Sequence, residues 1–450
     1  MLKGNFQKKE LKILNILLAA SILCAQTSAL ALEQTGRKRP IEEKNKSVSL
    51  TRSADPLSLL GCDAAFNKAA LTKVDSIVRD SFYSIELSKT VWPKALSKQK
   101  EKILAARDLI ELSVAINQAL DELKTSHCRF LTINDDTYYF LNSLFLHGKN
   151  EDKAKSAFPG FITGGVGFAP DVVRFVLDGS PAFKAGIHVG DKIVSVNGSQ
   201  LIGQANFFGA DISHPIVVFK RNSKPHCVQL NIHKVSMYEM YSEAVTKSVR
   251  RFDKDDLHLG YVHLWCGGHA AQEALADTLD REPLKDCDGL ILDLRDGYGA
   301  CSLDALDPFY RQPAAYPDFE MISREGKKTT NRIYFDKPLV ALINGGSRSG
   351  KEMLAFSLEK TKRAQVIGER TAGYFVAGQL FKINDLCALY LAVSDCSLSG
   401  TRLEGTGVEP DLKVANDKTK ADDRQLEAAK DELVKRIKSE REKEESSPAP

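Results

Sequence analysis

Residues 338–352 read PLVALINGGSRSGKE, and this stretch decides how the rest of the chain is interpreted. Its apolar run 338–343 is typical of a buried strand, and the glycines that follow predict a tight turn. A helix is expected over 352–363. This order of elements lifts Ser349 to a helix N-terminus, where free N–H groups and the helix dipole favour negative charge. Ser349 is therefore a candidate nucleophile, with a phosphate loop or a plain helix cap as the alternatives.

A second buried run, 289–294, ends in the turn DLRDGYGA at residues 293–300. Such a turn needs at least one positive φ angle, which glycine adopts readily. Its backbone N–H groups can form one side of an oxyanion hole, the alternative being a tight turn without chemistry. Strands and helices alternate from 257 to 414, and this alternation predicts an α/β core.

Two regions with other periodicities precede this core. Apolar residues recur every three or four positions up to residue 124, which predicts a helical region ending in Thr125-Ser126-His127-Cys128. From 158 to 234 the pattern changes to short strand-like runs between glycine, proline and asparagine. This second pattern predicts a separate β domain.

The N-terminus resembles an export signal. Four lysines precede an apolar run over 13–25, and Ala29-Leu30-Ala31 then offers small residues for a signal peptidase. An uncleaved anchor is the alternative, although the run is short for a bilayer span. We expect a signal peptide over 1–31, a flexible linker over 32–56, and an exported protein, periplasmic or secreted, without a stable membrane span after cleavage.

Composition narrows the class of partner. The chain has 62 basic and 59 acidic side chains and a net charge of +3, which gives no reason to expect nucleic acid as a partner. Eight cysteines beyond the signal would permit disulfides in an exported protein. We find no CxxC pair and no dense Cys/His cluster, so no metal is expected.

Three segments in order resemble a PDZ domain of the bacterial-protease type. They are GVGF at 165–168, GSPAFKAG at 179–186 and GDKIVSVNG at 190–198. The resemblance implies that the loop of Gly165, Val166, Gly167 and Phe168 binds a peptide's terminal carboxylate through backbone N–H groups, while the peptide adds a strand to the sheet edge.

Taken with the two core turns, GERTAG at 368–373 and EGTGVEPD at 404–411, residues 60–415 resemble the C-terminal processing (tail-specific) serine peptidases and the related tricorn core. Tail-specific members activate the serine with a lysine, and that position is Tyr374 here. The glutamine expected four residues later is Gly378. A tyrosine is a poor base at neutral pH, which excludes a Ser-Lys dyad at the usual place.

The tricorn branch offers another arrangement, and this chain matches it. The resemblance implies Ser349 as nucleophile, His127 as general base, and Ser126 with Glu404 as orienting groups. The N–H groups of Gly299 and Gly350 would hold the oxyanion. An ordinary imidazole pKa near 6.5 would let His127 accept the serine proton at pH 7.

The implied architecture is an α/β fold: a crotonase/ClpP-like spiral catalytic core with an inserted PDZ-like β domain and a helical N-terminal region. The expected boundaries are 57–157 for the helical region, 158–235 for the PDZ-like domain, 236–415 for the peptidase core and 416–450 for a charged tail. The implied function is peptide-bond hydrolysis through an acyl-enzyme, without a cofactor. Its partners would be peptides or proteins, bound partly through their C-terminus, and oligomerisation stays open. The alternatives are an inactive PDZ scaffold and an esterase for small acyl substrates.

Overall fold

The computed structural model describes residues 61–145, 155–165, 167–201, 203, 205–207, 213–310, 320–322, 328–330, 334–416 and 422–446. The expected signal peptide over 1–31 and linker over 32–56 therefore lie outside the described residues. The α-helices are α1 (Ala64–Ser81), α2 (Ile85–Thr90), α3 (Trp92–Leu104), α4 (Leu109–Leu120), α5 (Asp136–Phe145), α6 (Pro181–Lys184), α7 (Met237–Lys247), α8 (His269–Leu279), α9 (Gly350–Lys360) and α10 (Arg424–Ser446). None of these helices has both the length and the apolar character that crossing a membrane requires.

The strands fall into several sheets. They are β1 (Arg129–Thr132), β2 (Lys155–Ala157), β3 (Phe161–Gly165), β4 (Phe168–Val176), β5 (Lys192–Val196), β6 (Ile216–Arg221), β7 (Lys224–Gln229), β8 (Lys234–Ser236), β9 (Arg250–Lys254), β10 (Leu257–His263), β11 (Gly289–Asp293), β12 (Glu320–Ile322), β13 (Lys328–Thr330), β14 (Leu339–Ile343), β15 (Ala364–Gly368), β16 (Val376–Lys382), β17 (Cys387–Asp395) and β18 (Leu412–Lys413).

A six-stranded sheet forms the centre of the core, in the order β18-β15-β14-β11-β10-β9. All neighbours in it are parallel except β9 and β10. Every residue of β11 and β14 is buried, as expected for strands covered on both faces. Because β11 and β14 are parallel neighbours, the turns that follow them meet at one edge of the sheet. The two glycine-rich turns singled out in the sequence therefore lie side by side.

The helices α1 to α4 contact the core through a second sheet. Strand β1 follows them and pairs antiparallel with β17, with Arg129 opposite Tyr390. The side chains of Phe130, Leu389 and Leu391 are buried in one apolar cluster with those of α1, α3 and α4. His127 lies two residues before β1, so this pairing places it against the core.

The PDZ-like region is a five-stranded antiparallel sheet in the order β3-β4-β5-β6-β7. It has its own apolar cluster, which includes Val173, Ile193 and Phe219. The chain enters this region through β2 and leaves it through β8, and these two short strands pair with each other. Entry and exit are therefore adjacent, as in a domain inserted into a longer fold.

The charged C-terminal segment was expected to be a solvated helix with a loose end, and the helix is present but packs on the core. Helix α10 buries Ala429, Leu433 and Ile437 against residues of the central sheet that include Leu259 and Ile291. These three α10 residues are spaced by four, so they share one face of the helix. The charged residues between them obscured this stripe in the sequence.

Candidate active site

Ser349 stands where the turn after β14 becomes helix α9. Its φ angle is 56°, in the left-handed region that non-glycine residues rarely adopt. Its N–H group donates to the Tyr374 carbonyl at 2.9 Å and to the Glu352 carboxylate at 3.0 Å. Strained backbone of this kind persists only where its surroundings fix it, and it is frequent at functional serines.

The buried Glu352 carboxylate fixes the turn around the serine. Besides the Ser349 N–H, it accepts bonds from the N–H groups of Gly373 at 2.7 Å and Tyr374 at 2.8 Å, and from the Thr371 hydroxyl at 2.6 Å. Burial nevertheless raises its pKa. The sequence interpretation assigned Glu352 no such role, although a serine followed three residues later by glutamate is a capping-box pattern that could have revealed it.

The structure brings Ser126, His127 and Glu404 together. The Ser126 hydroxyl lies 2.8 Å from His127 Nδ1 and 2.9 Å from Glu404 Oε2. Glu404 also accepts the N–H groups of Ser126 at 2.7 Å and Phe375 at 2.6 Å. A carboxylate can only accept hydrogen bonds, so the single hydroxyl proton of Ser126 is donated to Glu404. The contact between Ser126 and His127 then requires a hydrogen on His127 Nδ1, which donates to the Ser126 oxygen. His127 Nε2 is then left unprotonated.

The pKa of His127 differs from the ordinary value expected from the sequence. Burial, and secondarily the positive charge of Arg348, lower it to about 4. The imidazole is half-buried, and its ring centre lies 5.2 Å from that of Tyr390. His127 is therefore neutral across the whole physiological pH range in the free protein.

Two consecutive residues connect the serine to the histidine's partners. The Tyr374 carbonyl accepts the Ser349 N–H, and the Phe375 N–H donates to Glu404. Among the described residues, no hydrogen bond joins the Ser349 hydroxyl to His127. Such catalytic hydrogen bonds are often long without substrate and tighten when substrate binds. Residues 374–375 thus set the spacing between the two halves of the site.

Gly299 and Gly350 lie together beside Ser349. A Cβ added at Gly299 would stand 2.6 Å from the Ser349 Cβ and 3.0 Å from the Gly350 nitrogen, so no other residue fits there. Within the described residues, neither the Gly299 N–H nor the Gly350 N–H donates a hydrogen bond. Two free N–H groups next to a serine at a helix N-terminus can donate hydrogen bonds to an oxygen that develops negative charge.

Lys351 follows Gly350 and is fully buried. Its ammonium group donates to the carbonyls of Asp296 at 2.7 Å and Arg295 at 3.4 Å. Burial lowers its pKa to about 8. It connects the helix that carries Ser349 to the turn that carries Gly299.

The positions of the lysine and the glutamine found in tail-specific members are filled differently here. Tyr374 is 48% exposed and offers its backbone, as described, to Ser349 and Glu352. A Cβ at Gly378 would lie 2.4 Å from the Tyr390 ring, so that ring occupies the space next to Gly378. The same ring packs against His127.

The loop of the PDZ-like region closes the turn between β3 and β4. Gly165 and Gly167 have φ angles of 73° and 82°, and Gly165 pairs with Phe168, while Val166 lies outside the described residues. Arg174 on β4 lies close to this loop, since a Cβ at Gly165 would be 2.8 Å from its Nη1. Its Nε is 3.3 Å from Asp296 Oδ1, so this strand also contacts the turn after β11.

Over the described ranges, no group of three or more His, Cys, Asp or Glu side chains is arranged to hold a metal ion. Seven cysteines of the described part are free thiols: Cys128, Cys227, Cys266, Cys287, Cys301, Cys387 and Cys396. Burial raises the pKa of Cys128, beside His127, to about 12, which makes it a poor nucleophile.

A serine at a strand–turn–helix junction, a histidine oriented through Ser126 by a buried carboxylate, and two free amides form an arrangement of the kind that serine hydrolases use, here in a chain with a PDZ-like domain. Residues 258–414 match the family model of Peptidase family S41, and residues 160–207 match that of the PDZ domain. The resemblance to C-terminal processing serine peptidases with a PDZ domain is thereby confirmed.

Curated relatives agree with this family. The chain is 26% identical over 259 residues to a "Carboxy-terminal-processing protease" of Bartonella bacilliformis, covering 53% of this chain and 57% of that one. It is 23% identical over 365 residues to "Carboxyl-terminal-processing peptidase 1, chloroplastic" of Arabidopsis thaliana, covering 77% and 72%. The match spans only about half the length of the Bartonella protein and of a second Arabidopsis relative.

Solved structures give similar matches. A photosystem II D1 C-terminal processing protease aligns with a TM-score of 0.46 at 21% identity, over 77% of this chain and 92% of that one. The tricorn protease aligns with a TM-score of 0.49 at 17% identity, over 83% of this chain and 37% of that one.

Proposed function

We propose that this protein is a serine endopeptidase that hydrolyses peptide bonds in exported proteins or peptides through an acyl-enzyme. The observation that carries the proposal is the connection from Glu404 through Ser126 to His127 Nδ1, which leaves Nε2 free to take a proton. The relatives are named as bacterial and chloroplast processing proteases, which supports this activity over the inactive PDZ scaffold.

In the proposed reaction, Ser349 Oγ attacks the carbonyl carbon of the scissile peptide bond while its proton moves to His127 Nε2. The carbonyl oxygen becomes an oxyanion that accepts the N–H groups of Gly299 and Gly350. His127 then gives the proton to the leaving amine, and the C–N bond breaks. Water repeats these steps on the acyl-enzyme and restores Ser349.

The Glu404–Ser126 pair would act on the imidazole in two ways. It keeps the hydrogen on Nδ1, so that Nε2 is free to accept the proton of the Ser349 hydroxyl. Its negative charge also stabilises the imidazolium that forms when Nε2 takes the proton. This second effect matters here because His127 is hard to protonate in the free protein.

The domain ranges, the peptide-binding loop and the export signal belong to the same proposal. The catalytic region 236–415 would be a crotonase/ClpP-like spiral, with 57–157 as the helical region. Residues 158–235 would select substrates, with the loop at Gly165, Gly167 and Phe168 binding a substrate's C-terminus. The segment 1–31 would direct export to the periplasm or outside the cell and then be removed. The adjacent β2 and β8 support an inserted domain.

A fluorophosphonate probe tests the nucleophile, with the wild-type protein and Ser349→Ala compared by mass spectrometry. We expect one adduct on the wild type, mapped to Ser349, and none on the variant. Hydrolysis of a denatured protein substrate should disappear in Ser349→Ala as well. An unlabelled wild type without hydrolysis would instead favour the PDZ scaffold.

A further inference from the structure

Arg348, the residue before the candidate nucleophile, forms no ion pair with an acid in the described part of the chain. Its Nε and Nη2 both donate to the Gly297 carbonyl, at 3.2 and 2.9 Å. Its guanidinium carbon lies 4.7 Å from the centre of the Tyr298 ring. Within the described part of the chain, its Nη1 makes no hydrogen bond and the side chain forms no ion pair.

Three carboxylates around the site are already engaged. Glu404 accepts from Ser126 and Phe375, and Glu352 binds four donors. Asp296 lies against Arg174. A half-buried guanidinium without a counter-charge is unfavourable unless it acquires one. The Gly297 carbonyl and the Tyr298 ring fix the orientation of Arg348 and leave its charge unneutralised.

The guanidinium of Arg348 lies at the turn that carries Gly299, because it donates to the Gly297 carbonyl and its central carbon lies over the Tyr298 ring. Arg348 also precedes Ser349 directly, and its charge acts on His127 and Tyr390. Arginine binds carboxylates through paired, charge-assisted hydrogen bonds. We propose that Arg348 binds a carboxylate of the substrate close to the scissile bond, an inference that rests on the proposed peptidase function.

Binding of a carboxylate would also change the base. The groups that face His127 are Arg348, the Glu404 carboxylate through Ser126, the Tyr390 ring and the neighbouring Cys128 thiol. Of these, only Arg348 repels a proton on the imidazole. A substrate carboxylate that neutralises Arg348 therefore raises the pKa of His127 and makes it a stronger base. Acidic substrates would therefore have a higher kcat as well as a lower KM.

A carboxylate can come from an Asp or Glu side chain or from a peptide's free C-terminus. A peptide library, prepared once with free and once with amidated C-termini, distinguishes the two sources. Wild type, Arg348→Met and Arg348→Lys would each digest both libraries, and cleavage sites would be read by mass spectrometry. Arg370→Met removes an exposed arginine that already has an acidic partner, Glu409, and serves as the matched control.

We expect wild type and Arg370→Met to favour cleavage next to a carboxylate by about ten-fold, the effect of one charge-assisted pair. Arg348→Met should lose this preference and Arg348→Lys should keep part of it. Enrichment that survives amidation assigns the carboxylate to Asp or Glu, and enrichment that disappears assigns it to the C-terminus. Equal cleavage of acidic and neutral sites by the wild type would overturn the inference and leave the peptidase function standing. No cleavage by any form would overturn both.

A pH measurement tests the coupling independently of specificity. With an acidic substrate, the acid limb of kcat should lie at higher pH than that of kcat/KM, because the first reports the substrate-bound enzyme. With the glutamine version of the same peptide the two limbs should coincide. In Arg348→Met the limb of kcat/KM should move up towards the ordinary histidine range. Coincident limbs for acidic and neutral peptides in the wild type would contradict the coupling.

Discussion

The ammonium group of Lys351 donates a 2.7 Å hydrogen bond to the carbonyl oxygen of Asp296, three residues before Gly299 in the same turn. Lys351 also follows Gly350 directly in the chain. One buried side chain therefore sets the separation of the two amides proposed to hold the oxyanion. A small error in such a spacing is costly, because misplacement by about 1 Å can reduce a rate by about a hundred-fold.

Lys351→Met, which keeps most of the volume and removes the charge, should lower kcat about ten-fold or more and change KM little. The wild type should also lose activity above about pH 8, where Lys351 releases its proton, and the variant should lack this alkaline limb. Lys337→Met is the matched control, because Lys337 also donates to two carbonyls but belongs to another part of the fold. Equal loss of kcat in both variants would reduce Lys351 to a general stabilising residue.

Ser347 and Ser349 should respond oppositely to alanine substitution. The buried Ser347 hydroxyl donates to the Leu294 carbonyl at 2.9 Å and accepts the Asn344 N–H at 3.0 Å. Ser347→Ala leaves both groups unpaired and should lower the free energy of unfolding by roughly 1–3 kcal/mol. Ser349→Ala should abolish hydrolysis with little change in stability. Chemical denaturation and peptide hydrolysis on both variants test this, and a stable but inactive Ser347→Ala would contradict the assignment of the nucleophile.

The acid limb of kcat/KM should lie near pH 4, not near the ordinary histidine value. The pKa of His127 is lowered, so the neutral base is present above about pH 4 and lost below it. His127→Ala should be as inactive as Ser349→Ala, since residues of one relay do not contribute additively. Tyr374→Phe should keep most of the activity. An acid limb at pH 6–7 in a neutral substrate would show that His127 is more exposed to water than the structure indicates.

Introducing the lysine and the glutamine of tail-specific members should fail here. In Tyr374→Lys/Gly378→Gln the new glutamine would overlap the Tyr390 ring, which lies 2.4 Å from a Cβ at position 378. Displacing that ring would disturb His127, so we expect the double variant to lose at least about ten-fold in rate and about 1–3 kcal/mol in stability. Tyr374→Lys alone, at an exposed position, is the control. Full activity in the double variant without His127 would mean that a lysine base works in this site.

Peptides with a free, apolar C-terminus should bind about ten-fold or more tightly than the same peptides amidated. The negative φ angles preferred by β-branched residues are unavailable at position 167, so Gly167→Val should remove the preference without changing Ser349 labelling. Ser349→Ala protein and a fluorescent competitor give the affinities without cleavage. Equal affinity for acid and amide would mean that the loop does not recognise the carboxylate.

The sequence alone was sufficient where local pattern determines structure. The runs at 289–294 and 338–343 became strands β11 and β14 almost residue for residue, and the turns that follow them adjoin because the two strands are parallel neighbours. The sequence alone could not predict the tertiary environment of individual side chains. Nothing in the local sequence shows that Lys351 is buried, that Arg348 lowers the pKa of His127, or that the Tyr390 ring fills the space beside Gly378. Each of these depends on elements distant in the chain.

The pairing of β2 with β8 has a consequence for how this protein could change over generations. Since both ends of the PDZ-like region meet at Ala157 and Lys234, a single insertion or deletion at this place can add, remove or exchange the whole module. The chain would resume at the same point in space, and only the contacts between module and core would have to be rebuilt, such as those of Phe175 in the main apolar cluster and of Asp178 with Trp265. Peptide binding by the proposed loop could thus change in one step, while the strands that carry Ser349 and Gly299 keep their order.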